Sequence, residues 1–215
     1  GNVSFEIIVI DNASADGSCD MVRESFPQVV LISNNVNRGY AAAVNQGLKV
    51  AKGRYFLVLN SDILICDSAI EKTVCYADRH PDSAIVGCQV MEDCDKIHKT
   101  CRRFPSLFNL LLDALSLPRL FRNNNFFGRE YMRGWNRDSE RQVDVVSGMF
   151  MLVRRKAVEQ VGMMDEQFFF LYEETDWCYR FSKNGWKMLF WPGAQVIHVH
   201  GGGQSRKKAG VKLRL

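Results

Sequence analysis

The 215-residue sequence lacks long apolar runs, and no stretch approaches the roughly 18 consecutive apolar residues that a transmembrane helix needs. It also lacks a basic stretch followed by an apolar segment at its start, which is the pattern of a secretory signal peptide. These absences predict a cytoplasmic protein. The seven cysteines include no CxxC pair, so neither a zinc knuckle nor a redox pair is indicated, and we expect reduced thiols.

Composition is ordinary for a globular protein, with 47% hydrophobic and 24% charged residues, and we expect one domain over residues 1–215. The net charge of +4 is unevenly distributed. Residues 1–95 carry 7 Lys/Arg against 13 Asp/Glu, a net of −6, and residues 96–215 carry 21 against 11, a net of +10. The second part is therefore expected to face an anion such as nucleic acid, an acidic membrane or a phosphorylated small molecule, with scattered solvated side chains as the alternative.

Short apolar runs alternate with helical spacing in the first part of the chain. The runs at 5–10, 29–32 and 55–59 are typical of strands buried on both faces, and 19–26 and 40–51 have the spacing of helices. This alternation predicts an α/β domain with a doubly wound, mostly parallel sheet and helices on both faces. Asp11 and Asp62 fall at the carboxyl ends of strands, where such sheets bind ligands.

The second part combines short strands with an acidic helix start. Strands are predicted at 143–146, 187–191 and 195–199, and a helix at 154–161. Glu173, Glu174 and Asp176 open a further helix. These carboxylates suit catalysis, but the helix dipole favours them there without any catalytic role, and Asp176 has the spacing to pair with Arg180.

One aspartate has the position of a metal ligand. Asp62 follows Asn60 at the end of the strand 55–59, and its carboxylate suits Mg²⁺ or Mn²⁺ carrying a diphosphate. A turn or a helix cap is the alternative for a single aspartate there. His198 and His200 alternate in a predicted strand, so at most one of them points into a shared site.

The order of these segments resembles the nucleotide-sugar-dependent family 2 glycosyltransferases, in particular a rhamnosyltransferase-like bacterial branch with the GT-A fold. The resemblance covers nearly the whole chain. It is carried by residues 9–18, 37–47, 59–62, 147–155, 165–169, 173–176 and 198–205. The chain begins at the position of the family's second strand, so the first strand and helix of the family pattern are expected to be missing.

The resemblance implies transfer of a sugar, with inversion, from a nucleoside-diphosphate sugar to an acceptor hydroxyl in bacterial cell-surface polysaccharide or glycolipid synthesis. Residues 1–95 would bind the donor and residues 96–215 the acceptor. Glu174, with Asp176 beside it, stands at the position of the catalytic base, and Gly148 and Glu173 fall on the acceptor side. A divalent cation, Mg²⁺ or Mn²⁺, would be held by Asp62 with His198 or His200.

The donor-binding positions implied by the resemblance are Asp11, Asn12, Asn37, Gly39, Asn45, Asn60 and Asp62. This sequence departs from the family pattern at Asn60, which replaces the first acidic residue of the metal motif, and at Glu174, which is longer than the usual aspartate. The donor sugar, its base, the acceptor and the oligomeric state are left open.

Two other functions are compatible with parts of the sequence. One is a non-catalytic domain that binds nucleotide sugars, and the other is a dinucleotide-dependent oxidoreductase, which would leave the C-terminal carboxylates and histidines without a role. Nucleic acid is not expected as a partner.

A membrane partner is also predicted. Residues 102–122 form an amphipathic stretch with basic flanks, which with the tail 206–214 would attach the protein to an anionic membrane carrying a lipid-linked acceptor. Packing of the stretch against its own domain is the alternative.

Overall fold

The computed structural model describes residues 3–92, 96–116, 120, 126 and 129–199. The strands in these ranges are β1 Ile8–Asp11, β2 Val30–Ser33, β3 Tyr55–Leu59, β4 Ile63–Ile65, β5 Ser83–Glu92, β6 Lys96–Ile97, β7 Cys101–Arg102, β8 Arg141–Val143, β9 Val145–Val146, β10 Phe150–Arg154 and β11 Lys187–His198. The helices are α1 Ser18–Ser25, α2 Tyr40–Val50, α3 Ala69–Arg79, α4 Leu107–Ala114, α5 Arg155–Val161 and α6 Glu173–Lys183.

The central sheet has the strand order β3-β10-β5-β11-β4, with β6 beside β5 and β8 beside β11. Within it, β5 and β11 are parallel, and the other pairs are antiparallel. β1 and β2 form a separate parallel pair, and β7 and β9 an antiparallel one. The predicted α/β domain is confirmed, but the expected predominance of parallel pairing is not. Strands covered on both faces have the same apolar pattern in either direction, so the sequence does not reveal their direction.

Helices cover both faces of the central sheet, as predicted. Ile85 of β5 packs in the apolar cluster that contains Trp177 and Phe181 of α6, whereas its neighbour Val86 packs in a cluster with Val74 of α3. This division follows from the alternation of side chains along a strand. Burial of each such large side chain stabilises the fold by about 1.5–3 kcal/mol, so both helix layers are fixed to the sheet.

β5 is the central strand that the sequence pattern did not reveal. Its first eight residues are buried, but Ser83, Gly87 and Gln89 interrupt the apolar run. Gln89 donates a hydrogen bond to the carbonyl oxygen of Arg137 at 3.0 Å. A Cβ atom on Gly87 would lie 2.7 Å from the Val146 side chain, so the small residue permits the close approach of these strands.

Two strand predictions differ in their boundaries. The predicted strand 143–146 is divided into β8 and β9, which pair with different partners. The predicted strands 187–191 and 195–199 form one strand, β11, with a shift of register between Trp191 and Gln195. Pro192 and Gly193 lie at the shift, which explains the interruption of the apolar pattern.

The six cysteines among the described residues are free thiols, and three of them, Cys88, Cys101 and Cys178, are buried. Burial raises the pKa of the Cys101 and Cys178 thiols to about 12. These thiols therefore remain protonated and unreactive at neutral pH. None of the helices in the described ranges has the length and apolar character needed to cross a membrane.

Candidate active site

Asp62 and His198 meet at one end of the central sheet. Asp62 lies in the short turn between β3 and β4, and β4 pairs with β11 so that Ile63 stands opposite His198. Nε2 of His198 lies 3.0 Å from Oδ2 of Asp62, and the backbone N–H of Val199 donates to the Asp62 carbonyl oxygen at 2.9 Å. The histidine is buried, whereas the aspartate side chain is 47% exposed. His198 is thus the predicted histidine that reaches Asp62, and His200 lies outside the described residues.

A third residue, which no motif marks in the sequence, extends this arrangement. The ring of His98 packs edge-on against the ring of His198, with 5.8 Å between their centroids. The backbone N–H of His98 donates to the carbonyl oxygen of Val90 at 2.7 Å, which fixes the hairpin that carries it. His98 follows strand β6. Because β6 has only two residues, no periodic sequence pattern indicates this strand.

The start of α6 presents two carboxylates in different environments. Glu174 is largely buried, and its Oε1 atom lies 3.7 Å from Nη2 of Arg102. Glu173 is only 3% exposed, and its Oε2 atom has no hydrogen-bond partner among the described residues. Burial, followed by the negative charge of Glu174, raises the pKa of Glu173.

Asp176 is engaged elsewhere, through the spacing that the sequence indicated. Nε of Arg180 lies 2.7 Å from Oδ2 of Asp176, and Nη1 of Arg180 donates to the carbonyl oxygen of Val161 at 3.4 Å. Asp176 thereby holds Arg180, and Arg180 connects α6 to the end of α5. This geometry favours a structural role for Asp176 and leaves Glu174 as the better candidate for the base.

Residues 147–149 lie between the Asp62 turn and the acidic helix start. The carbonyl oxygen of Met149 accepts a hydrogen bond from the N–H of Asn60 at 3.3 Å, and that of Gly148 accepts one from the Tyr40 hydroxyl at 3.1 Å. A Cβ atom on Gly148 would lie 2.6 Å from that hydroxyl, so a larger residue there would displace the Tyr40 ring. Burial, with the nearby charges of Glu174 and Glu173, raises the pKa of Tyr40. Residues 147–149 therefore contact both Asn60 and Tyr40, and Tyr40 lies near the two carboxylates.

Amide side chains fix the loop before α2. Nδ2 of Asn12 donates to Oδ1 of Asn37 at 2.8 Å and to the carbonyl oxygen of Gly39 at 3.2 Å. Gly39 has φ +84°, and a Cβ atom there would lie 2.6 Å from the carbonyl oxygen of Phe169. The loop is thus held between the end of β1 and the segment that precedes Glu173.

Two further predicted donor residues have clear environments. Asp11 is buried at the carboxyl end of β1, and hydrogen bonds from Ser14 lower the pKa of its carboxyl, so Asp11 is ionised at neutral pH. Asn45 is buried, and its Nδ2 donates to the Met164 carbonyl oxygen at 2.8 Å while its Oδ1 accepts from the Met164 N–H at 3.0 Å. Nδ2 also contacts Glu166 at 3.0 Å. The amide of Asn45 therefore holds α2 to residues 164–166, and its contact with the donor stays a prediction.

Known proteins share this fold. A mannosyltransferase from Pyrobaculum calidifontis, solved in complex with GDP-Man and Mn²⁺, superposes with a TM-score of 0.59 at 18% identity, over 93% of this chain and 49% of its own. GalNAc-T7, solved with UDP, GalNAc and Mn²⁺, gives a TM-score of 0.62 at 14% identity, over 91% of this chain and 38% of its own. These similarities confirm the predicted GT-A-like fold.

Sequence comparison points to rhamnosyltransferases. The N-acetylglucosaminyl-diphospho-decaprenol L-rhamnosyltransferase of Mycobacterium tuberculosis (strain ATCC 25618 / H37Rv) is 29% identical over 203 residues, 89% of this chain and 66% of that protein. The dTDP-rhamnosyl transferase RfbF of Shigella flexneri is 26% identical over 212 residues, 97% of this chain and 64% of that protein. The chain thus spans less than two thirds of the length of these relatives. The family described as Glycosyltransferase like family 2 matches residues 1–214, and the chain belongs to this family.

Proposed function

We propose that this chain forms the catalytic core of an inverting glycosyltransferase that transfers a sugar from a nucleoside-diphosphate donor to an acceptor hydroxyl. The observation that carries the proposal is the connection made by residues 147–149. Their backbone hydrogen-bonds to Asn60 in the Asp62 turn and to Tyr40, which lies near Glu173 and Glu174. The reaction needs one group that binds diphosphate and one that takes a proton, and this segment contacts the turn of the first and a neighbour of the second.

Glu174 is proposed to be the general base. Its carboxylate takes the proton of the acceptor hydroxyl while that oxygen forms a bond to the anomeric carbon of the donor. The bond from this carbon to the diphosphate oxygen breaks, and the nucleoside diphosphate leaves with the bonding electrons. Because the two oxygens lie on opposite sides of the carbon, a single displacement inverts its configuration. The contribution of the fold is to hold base, acceptor and donor in line.

Asp62 and His198 are proposed to hold a divalent cation at the diphosphate, with His200 as a further candidate. The half-exposed carboxylate of Asp62 lies beside an imidazole nitrogen, and this oxygen and nitrogen donor set fits Mn²⁺. The described ranges contain no cluster of three or more His, Cys, Asp or Glu side chains around a metal position, so donor oxygens and water would complete the coordination. When bound, the cation would neutralise charge on the leaving diphosphate.

The donor and acceptor are proposed from the relatives. Rhamnose carried on a deoxythymidine diphosphate is the proposed donor, and a sugar on a prenyl diphosphate is the proposed acceptor, since the relatives are named for these compounds. A lipid-linked acceptor places the reaction at a membrane surface. In α4 and the turn that follows it, Leu107, Leu111 and Leu115 are exposed, which supports peripheral attachment to an anionic membrane.

A release assay tests this function. The full-length gene product is mixed with dTDP-L-rhamnose or UDP-glucose, with Mn²⁺ and with N-acetylglucosaminyl-diphospho-prenol, and free nucleoside diphosphate is measured. We expect release with dTDP-L-rhamnose that depends on acceptor and Mn²⁺ and that is lost in Glu174→Gln. Donor binding without release from any donor would favour a non-catalytic nucleotide-sugar-binding protein.

A further inference from the structure

The side chain of Arg102 faces the start of α6, although its sequence context predicted a membrane-facing residue. Its Nη2 atom lies 3.7 Å from Oε1 of Glu174 and donates a hydrogen bond to Oγ1 of Thr175 at 3.2 Å. The guanidinium carbon also lies 5.8 Å from the ring centroid of Tyr172. One cation therefore contacts three of the residues at which α6 begins.

The backbone on both sides of Arg102 is fixed. β7 pairs with β9, and the carbonyl oxygen of Cys101 accepts a hydrogen bond from Nη2 of the buried Arg137 at 2.9 Å. The N–H of Phe104 donates to Oδ2 of Asp144 at 3.0 Å. The guanidinium of Arg102 is thus presented by a short, firmly held stretch of backbone.

The turn that Arg102 contacts requires support from outside. Leu171 and Tyr172 both have φ +71°, a left-handed conformation that is unfavourable for residues with a side chain. A cation at the N-terminus of a helix is itself disfavoured by the helix dipole. The position of Arg102 is therefore explained by its interaction with the carboxylate of Glu174 and the ring of Tyr172.

Three other ionisable groups near Glu174 in the described part of the chain carry no positive charge. The buried carboxyl of Glu173 is its neighbour on α6, and the Tyr40 hydroxyl of α2 and the Cys178 thiol lie close enough for the Glu174 charge to raise their pKa values. A largely buried carboxylate needs a paired cation, and Arg102 supplies one at 3.7 Å.

We propose that Arg102 is a positioning residue for Glu174: its guanidinium holds the Glu174 carboxylate and the turn at 171–172 in the geometry that proton removal requires. This inference rests on the proposed function, in which Glu174 is the base. Arg102 acts through Glu174 and need not touch the substrate.

The test compares Arg102→Met and Arg102→Lys with Arg103→Met, a control at the adjacent residue, which lines a separate cavity of about 260 Å³ with Arg141 and Asp144. We expect kcat of Arg102→Met to fall on the order of 10²-fold, because a displaced reacting group costs about that much. KM for the donor should stay within about twofold, since Arg102 is proposed to act through Glu174 and not on the donor. Arg102→Lys and Arg103→Met should retain most of the turnover, and free guanidinium ion should partly restore Arg102→Ala.

A double variant separates positioning from general support of the fold. If Arg102 acts through Glu174, Arg102→Met combined with Glu174→Gln is no slower than Glu174→Gln alone. Additive losses, full activity of Arg102→Met, or an equal loss in Arg103→Met would each overturn the proposal. Failure of the proposed function is distinguishable, because Glu174→Gln would then keep wild-type turnover.

Discussion

Nε2 of His198 lies 3.0 Å from Oδ2 of Asp62, although the two residues are far apart in the sequence. The antiparallel register of β4 and β11 sets Ile63 opposite His198, and the N–H of Val199 donates to the Asp62 carbonyl oxygen. Backbone hydrogen bonds on both strands therefore fix the distance between the carboxylate and the imidazole. This arrangement offers one oxygen and one nitrogen donor where the diphosphate is proposed to bind.

Asp62→Ala is expected to abolish the Mn²⁺-dependent part of nucleoside diphosphate binding, because residues 60–62 contain no other carboxylate to replace it. Isothermal titration with dTDP, with and without Mn²⁺, measures the effect. Asp20→Ala is the control, since that carboxylate is exposed and forms an i,i+3 ion pair with Arg23 on α1. Equal affinities for Asp62→Ala and the wild type would exclude Asp62 from the site.

Glu174→Gln is expected to lower turnover at least about 10²-fold with little change in donor affinity, because general-base catalysis contributes about 10²–10⁴-fold. Asp176→Asn should instead keep turnover and lower the free energy of unfolding by about 1 kcal/mol, through loss of its ion pair with Arg180 at 2.7 Å. Steady-state kinetics and urea unfolding distinguish the two. If Asp176→Asn is inactive and Glu174→Gln is active, the general base is Asp176 and not Glu174.

Glu173→Gln is expected to change stability in a pH-dependent way. Burial raises the pKa of Glu173 above its ordinary value of 4.5, so the folded state disfavours its ionised form. Ionisation of Glu173 therefore lowers the stability of the fold. This effect is fully present above the raised pKa of the folded state and absent below 4.5, the pKa in the unfolded state. The variant should therefore gain stability relative to the wild type at about pH 7.5, and this gain should vanish near pH 4. Urea unfolding at both pH values measures it, and a gain that is equal at both would contradict the assignment.

The sequence predicted the strand ends and the helix start that carry the site. It predicted the side-chain contacts within the site less well. The strand ends at Asp11 and Asp62 and the acidic start of α6 follow from local patterns, because buried strands and helix starts have characteristic residues. The pairing of Asp62 with His198 depends on β4 lying beside β11, and no local pattern encodes that register. The same holds for Arg102, whose basic and apolar neighbours indicated a membrane role while its side chain contacts Glu174.

Arg137→Met is expected to destabilise the fold strongly, by about 3 kcal/mol or more, because several buried carbonyl oxygens would lose their donor. The buried guanidinium donates to the backbone carbonyl oxygens of Cys101, Tyr131, Met132 and Trp135. The midpoint of urea unfolding should fall sharply, and Arg137→Lys should recover only part of the loss. Arg23→Met, at an exposed ion pair, is the control with an expected change below about 0.5 kcal/mol. Similar midpoints for the two methionine variants would contradict this role.

The last prediction concerns membrane binding through α4 and the turn that follows it. Leu107, Leu111 and Leu115 recur at intervals of four residues and are exposed, Leu107 to 87%, so they can enter a bilayer surface together. Basic residues near an anionic surface add about 1 kcal/mol each, and salt screens this attraction beyond about 8–10 Å.

We therefore expect co-sedimentation with anionic vesicles that exceeds that with neutral vesicles and weakens from low to physiological salt. Leu107→Ser with Leu111→Ser should reduce it, whereas Val36→Ser, an exposed apolar residue of another loop, should not. Arg102→Met should leave binding unchanged, because its guanidinium faces Glu174. If anionic vesicles are not preferred at low salt, α4 and the turn that follows it do not attach the protein to an anionic membrane.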